Sequence, residues 1–271
     1  MRGVCLAVLF IAATANADDI AEPHLPAPPS FVTLDRQDPV SRGGVELSYF
    51  VPNTASGASA TLMRFEGHAQ YVDRDSGIGG YAQLPISYLS ETAGTDSDSE
   101  TGIGDLEVGA LYLRDFSRFG VIVVGHGGVS LPTGSTSDQA HFANFAASVS
   151  RLPDLYLSLP RSTAIRLGVS PLWQSGRVFA RADFGLDVDS SGDGRRYDTA
   201  LRIDAGLGVM LDPVALTAEM TNDYDYTPSS TMTTEATGSS WIDTVAIAAR
   251  LVLGHVEPYA ALVVPIDADS H

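Results

Sequence analysis

Three segments of this chain place charged side chains at every second position: Arg64, Glu66 and His68 in the first, Arg181 and Asp183 in the second, Arg202 and Asp204 in the third. Asp105, Glu107, His126, Arg166, Glu219, Arg250 and Glu257 fall on the same parity of their own segments. Acids and bases interleaved along one wall have two uses. They can pair across neighbouring strands, each pair contributing roughly 0.2–1 kcal/mol, or they can line a passage that selects solutes by charge. Both readings stand, and both expect Arg181 and Asp183 to lie close to Arg202 and Asp204.

Other chemistry would need more specific arrangements of the same residue types. A hydroxyl becomes nucleophilic only beside a base, and His68, His126 and His141 coexist with many serines. None lies in a G-x-S-x-G elbow or an H-E-x-x-H helix. Gly125 and Gly127-Gly128 lack the lysine of a phosphate loop and read as small residues inside a strand. Asp96, Asp98 and Glu100, with Asp105 nearby, supply the oxygen ligands calcium prefers, but without the spacing of a calcium-binding loop. They read as a solvated acidic loop with a weak claim on calcium or on divalent bridging to lipid phosphate. The expectation is neither an enzyme nor a cofactor protein.

The elements that must position these side chains are strands. In residues 61–73, Met63, Phe65, Ala69 and Tyr71 alternate with Arg64, Glu66, His68 and Gln70, which is the two-residue period of an extended chain. Residues 177–189 and 199–209 repeat it. Strands are expected near 44–51, 61–73, 79–90, 103–114, 119–131, 163–174, 177–189, 198–210, 214–222, 240–252 and 256–266. Tight turns are expected at Ser175-Gly176, Leu211-Asp212-Pro213 and Gly254-His255. Long polar loops are expected over 91–102, 132–162, 190–198 and 223–240. In 141–160 the apolar residues recur every three to four places, giving an amphipathic helix broken at Pro153, read as a helical external loop packed on the rim or folded inward as a plug.

Short turns on one side and long loops on the other are the habit of transmembrane barrels, as are aromatic residues near strand ends: here Tyr49, Phe50, Tyr71, Tyr88, Tyr112, Trp173, Trp241 and Tyr259. The expected fold is therefore all-β, a transmembrane antiparallel up-and-down β-barrel of about twelve strands, with a long, partly helical external loop. Eleven strands are visible, which leaves the last on the outer side. Either a descending C-terminal strand is missing, or a twelfth lies within 142–160.

Composition agrees. The 271 residues carry 16 Lys+Arg against 33 Asp+Glu, a formal charge of −17 that repels nucleic-acid phosphate. Met1-Arg2, the apolar run Val4 to Ala13 and Ala15-Asn16-Ala17 have the order of a secretory signal. Residues 1–17 are read as that signal, 18–43 as a flexible periplasmic extension and 44–271 as the barrel. The only cysteine, Cys5, lies within the signal, so thiol chemistry is not expected of the exported chain.

Gly102-Ile103-Gly104-Asp105-Leu106, continuing to Tyr112, and Gly127-Gly128-Val129-Ser130-Leu131-Pro132-Thr133-Gly134 resemble in order and spacing the G-x-G-D-L and L-P-T-G motifs of the transporter-like outer-membrane β-barrel family of phenol-degradation pathways. Tyr197 to Val209, Asp212 to Met220, Pro258-Tyr259 and Val264-Pro265-Ile266 are similar to later parts of the same family. Such families close on a strand with a terminal aromatic residue, where this sequence has His271. The resemblance implies a barrel in the outer membrane, inserted by the barrel-assembly machinery among lipid and lipopolysaccharide, with a porin-like role for small solutes, apolar or aromatic. A closed structural or surface-binding barrel is the alternative, and an outer-membrane hydrolase a third.

Overall fold

The computed structural model describes residues 15–16, 29–50, 58–93, 96–158, 163–190, 197–225, 240–253 and 256–266. Twelve principal strands build an up-and-down sheet in which β4 and β5 run in the same direction beside β3: β1 (Arg42–Phe50), β2 (Ala58–Val72), β3 (Ile78–Ala93), β4 (Asp96–Ile103), β5 (Leu106–Phe116), β6 (Val121–Leu131), β7 (Thr163–Ser175), β8 (Val178–Ser190), β9 (Tyr197–Met210), β10 (Val214–Asp225), β11 (Ser240–Leu251) and β12 (Tyr259–Pro265). Every principal pairing is antiparallel. Ala15 and Asn16 add a two-residue bridge to Gly43 and Arg42; the rest of the expected signal lies outside the described residues.

The two-residue period sorts side chains in the reverse of the aqueous rule. Arg64, Arg166 and Arg202 are among the largest fully buried side chains, while Tyr71 is 66% exposed, Ile247 60% and Leu207 57%. On β2 the alternation expected from sequence holds residue by residue: Arg64 and Glu66 are buried, Phe65 and Tyr71 exposed. Leu62 and Leu89 share one apolar core with Ala246, Tyr259 and Val263. The second and third strands and the last two therefore turn their inner faces toward the same interior, and the sheet curls into a barrel-like wall. Among the described residues no backbone ladder joins β1 to β12.

The eleven expected strands are all present, with one correction. Of residues 91–102, expected as a loop, 91–93 and 96–102 extend the sheet: Glu91 opposes Asp98 and Leu89 opposes Glu100, so β3 and β4 pair antiparallel. β4 and β5 are two pieces of one pass. β3 pairs Ile86 with Ile103 but Gln83 with Glu107, so Gly104, Asp105 and Leu106 face only Leu84 and Pro85. One extra residue makes this a β-bulge, and Pro85 sits where a regular ladder would want its missing N–H.

Tight turns gather at one end. Gly176 adopts φ +57°, which only glycine enters without steric cost, and Asp212-Pro213 forms the next turn of that end. Gly254-His255 and most of the expected loops 190–198 and 223–240 lie outside the described residues. Tyr71, Tyr112 and Trp173 are exposed near the tight-turn end and Tyr49 near the other. Tyr259, expected in the same aromatic belt, instead points inward and is buried.

Candidate functional site

The interior is occupied by two segments of the chain itself. Residues 30–41, expected to belong to a flexible extension, enter the barrel-like wall at its tight-turn end and leave at the same end. Phe31 packs on Phe179, ring centroids 5.4 Å apart, with Leu34 and Leu172. Ser30 Oγ donates to Asp38 at 2.8 Å and closes the base of this re-entrant loop. Phe31, Val32, Thr33, Leu34, Asp35, Gln37, Asp38, Val40 and Ser41 are all buried, which corrects the expectation of a free segment.

Charge holds the loop to the wall. Arg36 donates through two nitrogens to Glu46, 2.6 Å each, and through Nε to Glu66 at 2.6 Å. Asp38 receives Arg181 at 2.8 Å and lies 3.0 Å from Arg42. Asp35 pairs with Arg202 and lies 3.5 Å from both Arg166 and His126. Backbone donors are used as well: Val32 and Thr33 N–H groups donate to the Glu219 carboxylate at 2.6–2.9 Å. The chain contains no lysine, so all 16 of its Lys+Arg cations are arginines, the side chain whose planar fork suits bidentate buried pairing.

From the opposite end comes residues 132–158. Ser137 caps the helix α1 (Asp138–Ala147), its hydroxyl accepting from the Ala140 N–H. Two 3-10 segments follow, Ser148–Ser150 and Leu152–Ser158, with Leu152, Pro153, Asp154 and Leu157 buried. The expected break at Pro153 is corrected: Pro153 lies within a 3-10 turn that continues the inward path. Of the two placements left open, the segment takes the inward one. Asp154 meets Arg151 at 2.6 Å, Arg166 at 3.4 Å and Arg64 at 3.9 Å.

The two sequence motifs meet at the β4–β5 bulge. Gly134 N–H donates to Asp105 at 2.8 Å, Leu106 N–H donates to the Thr133 hydroxyl at 2.9 Å, and Ser135 N–H donates to the Ile103 carbonyl at 2.8 Å. A Cβ on Gly104 would stand 2.6 Å from the Leu157 carbonyl. The motifs thus seat the inward segment, a role their sequence alone did not disclose.

The expected interior residues fall as follows. Arg64, Glu66, Asp105, Glu107, His126, Arg166, Arg181, Asp183, Arg202, Asp204, Glu219, Arg250 and Glu257 are buried; His68 is half-buried. Their partners differ from the expected cross-strand set. Asp183 stands opposite Asp204, acid against acid, while Arg181 bonds Asp183 on its own strand at 2.7 Å and Arg202 reaches Asp187 at 2.8 Å. Arg166 gathers Glu107, Asp154, Asp187 and Asp35. Glu107 also receives Tyr81 and Gln83, each at 2.7 Å. Sequence reasoning missed Asp35, Arg36, Asp38, Arg151 and Asp154, which lie outside any alternating segment. Asp96, Asp98 and Glu100 belong to β4, and among the described residues no three metal-ligating side chains converge. His126 faces Asp35 and the Tyr81 ring, and His141 bonds the Ser135 carbonyl.

Burial alone would raise the Asp35 carboxyl, but Arg202, His126 and Arg166 outweigh it and leave the group well below the ordinary carboxylate value. Asp154 is likewise depressed against its burial by Arg151 and Arg166, and Asp38 by Arg42 and Arg181. These loop carboxylates are ionised ligands of wall arginines. The chain matches no protein-family model and no curated protein.

Proposed function

We propose that the chain is an outer-membrane β-barrel, exported by its signal sequence, and that it works as a gated, porin-like channel for small solutes. The membrane reading is supported by the inversion of the wall, with apolar side chains outside and guanidiniums inside. Each exposed large apolar side chain forgoes a part, roughly half, of the about 1.5–3 kcal/mol that full burial yields, whereas facing hydrocarbon it is at home. Tyr71, Tyr112 and Trp173 fit an interfacial girdle. Lipid and lipopolysaccharide would then be its neighbours, and the assembly machinery its route of insertion.

One observation carries the transport reading: the loop 30–41 is held to the wall mainly by ion pairs and hydrogen bonds. Buried ion pairs are close to break-even against solvated charges. Water entering the lumen can replace them, so the cost of withdrawal lies chiefly in re-exposing Phe31, Val32 and Leu34, which makes the withdrawn state a minor one. The segment 132–158 then loses the Val32 and Leu34 carbonyls that Arg151 holds and can follow. The reading is tested by conductance in a planar bilayer. Wild type should be mostly closed with brief openings, and Arg36→Ala/Arg151→Ala should conduct steadily. A folded double variant that stays silent would remove the transport reading. It would leave the second one, a closed structural or surface-binding barrel, which the filled interior favours.

A further inference from the structure

We propose that the solutes admitted are small organic cations bearing a guanidinium or amine group, and that Glu46, Glu66 and His68 form their seat, occupied in the closed state by Arg36. This deepens the channel reading and rests on it. Arg36 makes a two-pronged contact to Glu46, a third bond to Glu66, and brings Nη1 to 3.2 Å from His68 Nδ1. That is near-complete recognition of a planar guanidinium, and the group recognised belongs to the withdrawable loop while its recognisers belong to the wall.

The wall itself calls for a cation there. Glu46 and Glu66 are directly opposed residues of the paired strands β1 and β2, where like charges face to face are destabilising. Arg64 serves Glu66 at 2.7 Å, but the guanidinium against Glu46 is that of Arg36. Withdrawal of the loop leaves two opposed carboxylates, of which Glu66 keeps its Arg64 partner while Glu46 loses the guanidinium that held it. A cavity of about 10 Å³, lined by Arg36, Glu46, His68 and Tyr259 among others, already adjoins the seat; that is room for about one water. The wider lumen has the same sign. Among the described strand residues, nine carboxylates are buried against six guanidiniums, the imbalance of a cation-selective passage.

The probe is methylguanidinium at millimolar concentration. Arg36→Ala empties the seat and leaves its wall intact, so the ion should raise the unfolding temperature of this variant saturably, leave wild type nearly unmoved, and lose its effect in Arg36→Ala/Glu46→Gln. In the unmodified chain the same ion should compete with Arg36 and increase hydrogen exchange over residues 30–41 severalfold, a readout independent of how any variant folds. In a potassium chloride gradient, Arg36→Ala/Arg151→Ala should show a reversal potential displaced toward that of potassium. Absence of both the stabilisation and the exchange response, or a preference for chloride, would overturn the seat. Stabilisation by methylguanidinium with no current would support the seat and overturn the channel.

Discussion

Arg151 donates to the Leu34 carbonyl at 2.9 Å, so a side chain that has entered from the long-loop end grips the backbone of a loop that has entered from the tight-turn end. The same guanidinium also reaches the Val32 carbonyl, and its Nε bonds Asp154 at 2.6 Å. The two inward segments are thus tied to each other as well as to the wall, through one planar cation whose charge is balanced within its own 3-10 turn.

Arg151→Ala should therefore uncouple the segments. The substitution leaves the Asp154 carboxylate short of a partner in a buried site, and removing one member of such a pair costs about 3–5 kcal/mol. Arg64 and Arg166 remain within 4 Å of Asp154, so the lower end of that range is expected. Limited proteolysis in detergent should cut within both 30–41 and 132–158 in the variant and in neither in wild type. Cutting in one segment alone would show that the two dock separately.

Acid should release the loops late. Asp35, Asp38 and Asp154 are all depressed below the ordinary value of 3.8. A carboxylate lowered on docking contributes stability in full above its undocked pKa, and that stability is lost as pH falls through the lower docked value. The contribution of these three carboxylates to docking should be constant from pH 8 to about 5 and weaken only below about pH 4. Hydrogen exchange over residues 30–41, corrected for its intrinsic pH dependence, reads this directly. Release beginning near pH 6 would mean that other groups control the loop.

Gly104→Ala should displace the segment 132–158 without unfolding the sheet. The added Cβ meets the Leu157 carbonyl and the Pro85 ring, each at 2.6 Å, and overpacking of this kind costs about 1–3 kcal/mol. Gly67→Ala is the control, since its Cβ would meet nothing within 4 Å. Protease sensitivity at 150–158 should rise for the first variant and stay at the wild-type level for the second.

The wall was legible in the sequence because it depends on local periodicity: the alternation of Met63, Arg64, Phe65 and Glu66 fixes which side of β2 each occupies before any partner strand is known. The filled interior was not. Asp35 finds its Arg202 partner 167 residues away, and no period marks the residues between Ser30 and Ser41. The alternation offers the acids and bases of β8 and β9 as partners for each other because periodicity addresses the wall alone. Asp35 and Asp38 from the loop take up part of Arg202 and Arg181 instead. The bulge at Gly104 was hidden for a related reason. One extra residue inverts parity midway along a pass, and Asp96 to Gly102 contains no apolar residue to alternate, so that half reads as loop rather than strand.

Leu167→Arg separates the membrane reading from an aqueous one. Leu167 lies near the middle of β7, paired with Leu186 on β8, and is 51% exposed. If that face met water, replacing a half-exposed leucine by arginine would change stability by no more than about 0.5 kcal/mol, the ordinary range for surface sites. If it meets hydrocarbon near mid-bilayer, the same change costs about 2–4 kcal/mol. The luminal ion pairs are untouched in either case, because the Leu167 side chain is on the other face from Arg166. Folding into phospholipid vesicles, followed by denaturant titration, gives the difference. A cost in the higher range supports lipid contact, and a neutral result would mean that the apolar face is covered by something other than a bilayer.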